Sequence, residues 1–144
     1  MYEKVLNKKY KKVDFSRPKA EKKLPQVIDG NFILARINKI KNIKHKTIIS
    51  LAYSVGLRVS EVINMKIEDI DSARMIIHIR QAKGKKDRIV PLSQNILNML
   101  REYWKANSPK VYLFNGQNTL KYSATSCNNI VKKYLGRKYH FHLL

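Results

Sequence analysis

Apolar residues along this chain follow a helical period from Ile28, a strand-like period after Met65, and a helical period again from Ser93. Leu24-Pro25-Gln26-Val27-Ile28 reads as extended chain. Asp29 follows as a helix N-cap, with Ile28 and Ile33 spaced as a hydrophobic staple. Phe32, Ile33, Ile37 and Ile40 continue one helix face. A second helix is predicted from about His45 to Val55, where Leu51, Ala52 and Val55 share a face. Gly56 supplies its stop, because glycine adopts the left-handed backbone at little cost. Val62, Ile63 and Met65 then restart an apolar face, so Arg58 falls at the mouth of a further helix.

Past Met65, Asp69-Ile70-Asp71-Ser72 is predicted as a turn. In Arg74-Met75-Ile76-Ile77-His78-Ile79-Arg80 the apolar positions Met75, Ile77 and Ile79 alternate with Arg74, His78 and Arg80, which predicts a strand despite Ile76. Lys83-Gly84-Lys85-Lys86-Asp87 is a charged hairpin connection. Arg88-Ile89-Val90-Pro91-Leu92 returns as a second strand, and Pro91 ends it or marks an edge. Ser93 caps a helix whose stripe of Ile96, Leu97, Leu100, Tyr103 and Trp104 is predicted to be core. Val111-Tyr112-Leu113-Phe114 is predicted as a short third strand. A last helix from Ser123 to Leu135 carries Cys127, Ile130, Val131, Tyr134 and Leu135 and ends at Gly136. The expected fold class is therefore α+β, mainly helical, with a small three-stranded antiparallel sheet.

Two segments are expected. Residues 1–23 form a basic arm or linker, and residues 24–144 form the globular part. The arm holds Lys8-Lys9-Tyr10-Lys11-Lys12 and Arg17-Pro18-Lys19-Ala20-Glu21-Lys22-Lys23, charge runs that solvate a linker and can also track a phosphate backbone. Its start reads as the tail of a larger unit. The closing Leu143-Leu144 has no stop signal and reads as a cut inside the fold.

Charge narrows the partners. Lysine and arginine total 30 against 10 acidic residues, so the net charge is +20 over 144 residues. A surplus of that size fits a polyanion, most simply nucleic acid. There is no long apolar run for a membrane span and no secretory segment after Met1. Cys127 is the single cysteine, which fits a reducing, cytoplasmic setting, and it reads as a small buried hydrophobe.

Three places hold candidate phosphate chemistry: Arg58, the Lys83 hairpin, and His140 or His142. Arg58 sits where free N–H groups and the helix dipole favour an anion, and its guanidinium is a bidentate fork for phosphate. On spacing alone it is as readily an arginine paired with Glu61 or Asp69. Lys83, beside Gly84, can swing over a bound backbone and donate a proton, or be a solvated hairpin lysine. Lys85, Lys86 and Arg88 are expected to make sequence-independent phosphate contacts, as are Lys39, Lys44 and Lys46 around the second helix's start. His140 and His142 are two apart, but no third ligand accompanies them, so no metal site is assigned. Nothing resembles a nucleophile elbow or a phosphate-cradling glycine loop.

Taken together these blocks resemble the catalytic domain of tyrosine site-specific recombinases, the phage-integrase family. Gly56-Leu57-Arg58-Val59-Ser60-Glu61 resembles the block with the first catalytic arginine. Lys83-Gly84-Lys85-Lys86-Asp87-Arg88-Ile89-Val90-Pro91-Leu92 resembles the β-hairpin with the catalytic lysine. His142-Leu143-Leu144 resembles the first three positions of the His-x-x-Arg block. Leu24-Pro25 and the capped helix resemble the domain's opening. The resemblance spans Leu24 to Leu144 and departs from the family at its end. The second arginine would follow Leu144, and the nucleophilic tyrosine would lie further on. Tyr134 and Tyr139 precede the His142 block and do not match it.

The resemblance implies catalytic roles for Arg58, Lys83 and His142, with Glu61 supporting Arg58. In such enzymes a tyrosine attacks a phosphodiester of double-stranded DNA, giving a 3′-phosphotyrosine and a free 5′-hydroxyl. No metal or nucleotide cofactor is implied, and the intact family works as a tetramer on DNA. These 144 residues are then expected to bind DNA without cleaving it. A binding-only basic DNA-binding protein, a decoy or remnant, is the other class, and a generic RNA-binding protein a third.

Overall fold

The computed structural model describes residues 27–82, 84 and 86–144. The arm 1–23, Leu24-Pro25, Lys83 and Lys85 lie outside the described residues.

The most apolar helix lies at the centre. Asn42 caps α2 (Ile43–Val55) by accepting the His45 N–H, so the helix starts two residues before the predicted His45. Ile48, Ile49, Leu51 and Ala52 are fully buried, which requires neighbours on several sides. α1 (Gly30–Asn38) is one neighbour. Its Asp29 cap accepts the Asn31 N–H at 3.1 Å, and Ile33 and Ile37 face inward. Ile28 packs on the same core. Gly56 takes φ 67° and ψ 45°, and its N–H closes α2 on the Ala52 carbonyl. The turn leads directly into α3 (Val59–Asn64).

A 3-10 turn (Ile67–Asp69) then runs into β1 (Ile70–Asp71). β2 (Ile76–Ala82) and β3 (Lys86–Pro91) form the hairpin, and the sheet is antiparallel in the order β1-β2-β3. Ile77 pairs with Val90 and Ile79 with Arg88. Ile77 and Ile79 are the buried face of β2. Pro91 closes β3, an edge strand, where its missing N–H breaks no ladder.

The expected sheet had the right size and one wrong member. Ile70–Asp71, predicted as a turn, is the third strand, held by pairing with Ile77 and Ile76. Val111–Phe114 contributes only the bridge between Tyr112 and Lys66. Its backbone exchanges bonds with Met65 and Ile67 at the end of α3, and no ladder forms.

α4 (Gln94–Asn107), capped by Ser93, packs against α2 through Ile96, Leu97, Leu100 and Tyr103. Trp104 departs from the predicted stripe and is 53% exposed. It shares Leu97's sector near the helix end and lines an open apolar groove of about 270 Å³ with Ile67, Ile70 and Leu113. α5 (Ala124–Leu135) is capped by Ser123 and packs on α1 and α3. Cys127 is fully buried on it, and burial pushes its thiol up to about 12. A final 3-10 turn (Phe141–Leu143) is fixed by buried Phe141, whose N–H donates to Asn128 Oδ1 at 3.0 Å.

Candidate functional site

Gly56 turns the chain out of α2 so that Arg58 becomes the N-cap of α3, with φ −75° and ψ 155°. Arginine has no short acceptor to cap a helix. The cap comes from the other direction: Glu61, three residues on, takes the Arg58 backbone N–H on Oε2 at 2.9 Å. The Arg58 side chain is 55% exposed, and its Nη1 stands 3.5 Å from Glu61 Oε1. Glu61 is therefore Arg58's acidic neighbour, yet the guanidinium keeps an open face. Asp69, the other candidate acid, is engaged elsewhere.

Glu61 is itself 3% exposed, and a buried carboxylate requires compensation. Arg88 provides it from β3, donating Nη2–H to Glu61 Oε2 at 2.8 Å. Another contact runs from Arg88 Nη2 to the Gly56 carbonyl at 3.5 Å. One guanidinium thus links the hairpin to the turn that presents Arg58. Arg88 points this way because it pairs with Ile79, whose side chain faces the core.

The same device recurs one element later. Asp69 accepts the Lys66 N–H on Oδ2 at 2.8 Å and Arg80 Nε on Oδ1 at 2.6 Å. Glu68 adds a 3.4 Å ion pair to Arg80. Chiefly because of the hydrogen bond to Asp69, Arg80 holds its proton more firmly than a free guanidinium. Between the two networks lies a cleft of about 420 Å³, with Glu61, Lys66, Asp69, Arg80 and Lys121 on its walls.

The remaining predicted residues fall in varied settings. Lys39 is exposed at the end of α1, and Lys86 is exposed at the start of β3. Lys46 is half-buried in the first turns of α2. Lys44 donates to the Asn115 carbonyl and stands 4.8 Å from the centre of the Tyr122 ring. Burial lowers its pKa. His142 is exposed on the last 3-10 turn, its ring stacked on His140 at 5.8 Å and 7°. That turn packs on α5, which in turn packs on α3. Among the described residues no group of three His, Cys, Asp or Glu side chains is placed to hold a metal, and no helix is long and apolar enough to cross a membrane.

Sequence reasoning did not anticipate one further pair. His45 Nδ1 lies 3.0 Å from the Tyr134 hydroxyl, ring edge against ring face. Burial first, then Lys133 and Lys44, lowers the His45 pKa. No spacing rule links residues 45 and 134, so only the packing of α2 against α5 reveals them.

Comparison with known proteins agrees with this architecture. The tyrosine recombinase XerA of Pyrococcus horikoshii is 35% identical over 125 residues, covering 84% of this chain and 44% of that protein. The tyrosine recombinase XerD of Staphylococcus saprophyticus is 33% identical over 108 residues, covering 72% of this chain and 36% of that protein. The chain thus spans less than half the length of either relative. Among solved structures, XerA recombinase superposes with a TM-score of 0.73 at 21% identity, covering 84% of this chain and 48% of that one. The XerH site-specific recombinase bound to its difH substrate gives 0.72 at 21% identity, covering 84% and 40%. The phage integrase family model matches residues 28–144, and the chain belongs to that family.

Proposed function

We propose that these 144 residues are the DNA-binding, arginine-presenting part of a tyrosine recombinase catalytic domain. One observation carries the reading: Arg58 stands half-exposed at a helix mouth, its backbone fixed by a buried carboxylate, in a chain of net charge +20. A guanidinium presented from a backbone fixed in this way meets a phosphate with only its side chain left to order. In the intact protein Arg58 stabilises charge on the non-bridging oxygens during phosphoryl transfer, and losing one such donor typically costs about 3 kcal/mol of the barrier. Lys83 protonates the leaving 5′-oxygen, and His142 hydrogen-bonds the phosphate. Exposed Lys39 and Lys86 add backbone contacts, and residues 1–23 extend them along the duplex. Four such domains meet on DNA in the intact assembly.

Neither Tyr134 nor Tyr139 follows the His142 block, so these residues alone bind duplex DNA without cleaving it. The test is a salt titration of binding to a duplex oligonucleotide, with RNA as competitor and a nicked suicide duplex to trap covalent adduct. Expected are duplex binding that falls steeply with salt, preference over RNA, and no adduct. Salt-independent binding or preference for RNA overturns the DNA reading. A trapped adduct overturns the assignment of the nucleophile outside these residues.

A further inference from the structure

Glu61 Oε2 already accepts two donors, the Arg58 N–H at 2.9 Å and Arg88 Nη2 at 2.8 Å. Only Oε1 is left for the Arg58 guanidinium, and it has no hydrogen bond to it, only the ion pair at 3.5 Å. Among the described residues these two arginines are Glu61's ion-pair partners. Two guanidinium groups and one carboxylate leave the cluster one positive charge, and it resides on the half-exposed Arg58.

We infer that Arg88 supplies the counter-charge for Glu61 and thereby keeps the charge of Arg58 available to a DNA phosphate. Arg88 is thus a positioning residue that acts through Glu61, not a phosphate contact of its own; this rests on the reading of Arg58 given above. Without Arg88, Oε2 loses its charged donor, and Arg58 becomes the remaining cation for a buried carboxylate. Arginine and carboxylate then close as a bidentate fork, which is strong where solvent is excluded. The cluster falls to zero charge, and the phosphate loses its partner. The same guanidinium ties β3 to the Gly56 turn, so hairpin and arginine are held as one unit.

The test uses the whole chain with two readouts. The first is the rate of phenylglyoxal modification at Arg58, followed by peptide mass spectrometry, which needs no DNA. The second is the affinity for a duplex oligonucleotide across a range of salt. Arg88→Gln should slow Arg58 modification several-fold and weaken DNA binding by about the same factor as Arg58→Ala, roughly five- to tenfold. Adding Glu61→Gln to Arg88→Gln should restore both to within about twofold, because the competing charge is gone. Arg88→Lys should keep both close to wild type, and Arg88→Gln should have no further effect on binding in an Arg58→Ala background.

An Arg88→Gln defect that Glu61→Gln does not rescue overturns the inference. So does an additive loss in the Arg58→Ala background with the salt slope reduced by about one, the signature of a direct phosphate contact. Should Arg88→Gln fail to fold by circular dichroism, Glu61→Gln alone decides. It should speed Arg58 modification, and slower modification overturns the inference. If the wild type binds no duplex DNA, the function proposed above fails while the modification readout still judges the role of Arg88.

Discussion

Glu61 and Arg88, on different elements and 27 positions apart, share a 2.8 Å ion pair that is closed to solvent on the carboxylate side. The pair converts two local motifs into one. A helix-capping turn alone would let Arg58 follow the motions of α3. A hairpin alone would sit wherever its edge strand settled. With Glu61 bonded to both, the turn that presents Arg58 and the strand that begins at Lys86 share one rigid reference. Asp69 repeats the arrangement with Lys66 and Arg80, so the sheet is tied to the segment before it at two places. Buried ion pairs of this kind contribute little net stability, because desolvation offsets the attraction; what the two carboxylates do here is tie named atoms of separate elements together.

Gly56 is the backbone condition for that arrangement. Its φ of 67° is left-handed, and no atom lies within 4 Å of where a Cβ would stand. The cost of Gly56→Ala is therefore backbone strain without a clash, about 1–2 kcal/mol. Thermal unfolding should show a midpoint lowered by several degrees with unchanged cooperativity. If the turn relaxes to avoid the strain, Arg58 is displaced, and DNA affinity should fall by more than the lost stability explains. An unchanged melting midpoint would mean that the turn does not need the left-handed conformation.

Lys39 and Lys44, five positions apart, should behave differently. Lys39 is exposed, whereas Lys44 donates to the Asn115 carbonyl beside the Tyr122 ring. Lys39→Ala should reduce the salt slope of DNA binding by about one and leave stability untouched. Lys44→Ala removes a partly buried donor and should cost about 1–2 kcal/mol of stability, with a smaller effect on the slope. Parallel titrations and denaturant melts of the two variants check this. Equal slopes and equal stabilities would place both ammonium groups in solvent.

How far the sequence reached follows from which interactions are local. The Asp29 and Ser93 caps and the Gly56 stop are all decided within a few residues, and the structure has each of them. Arg58 at a helix mouth is of the same kind. Arg88 is not: its alternation places it on the same face as Val90, while apolar Ile89 is 62% exposed. Only the pairing with β2 decides which face of β3 is covered, so hydrophobicity within the strand misleads. Val111–Phe114 shows the converse. Four residues with strand composition find one bridge, because Ile70–Asp71 already occupies the open edge of β2. Trp104 fails for a third reason. Its direction on α4 is core-like, but the opposing layer leaves a groove there.

The His45–Tyr134 contact makes stability depend on pH. Burial and the nearby Lys133 and Lys44 lower the folded-state pKa of His45 below its ordinary 6.5. At and below that ordinary value the unfolded chain takes up a proton that the folded chain refuses. The group's contribution is therefore complete above about pH 6.5 and is lost as pH falls through the lower folded value. Denaturant midpoints measured from pH 7.5 down to 5 should decline across the acid half of that range. In His45→Gln the decline should flatten, because glutamine keeps a polar side chain near Tyr134 and cannot titrate there. A His45→Gln variant with the full acid decline would assign the effect to other groups and remove His45 from the account.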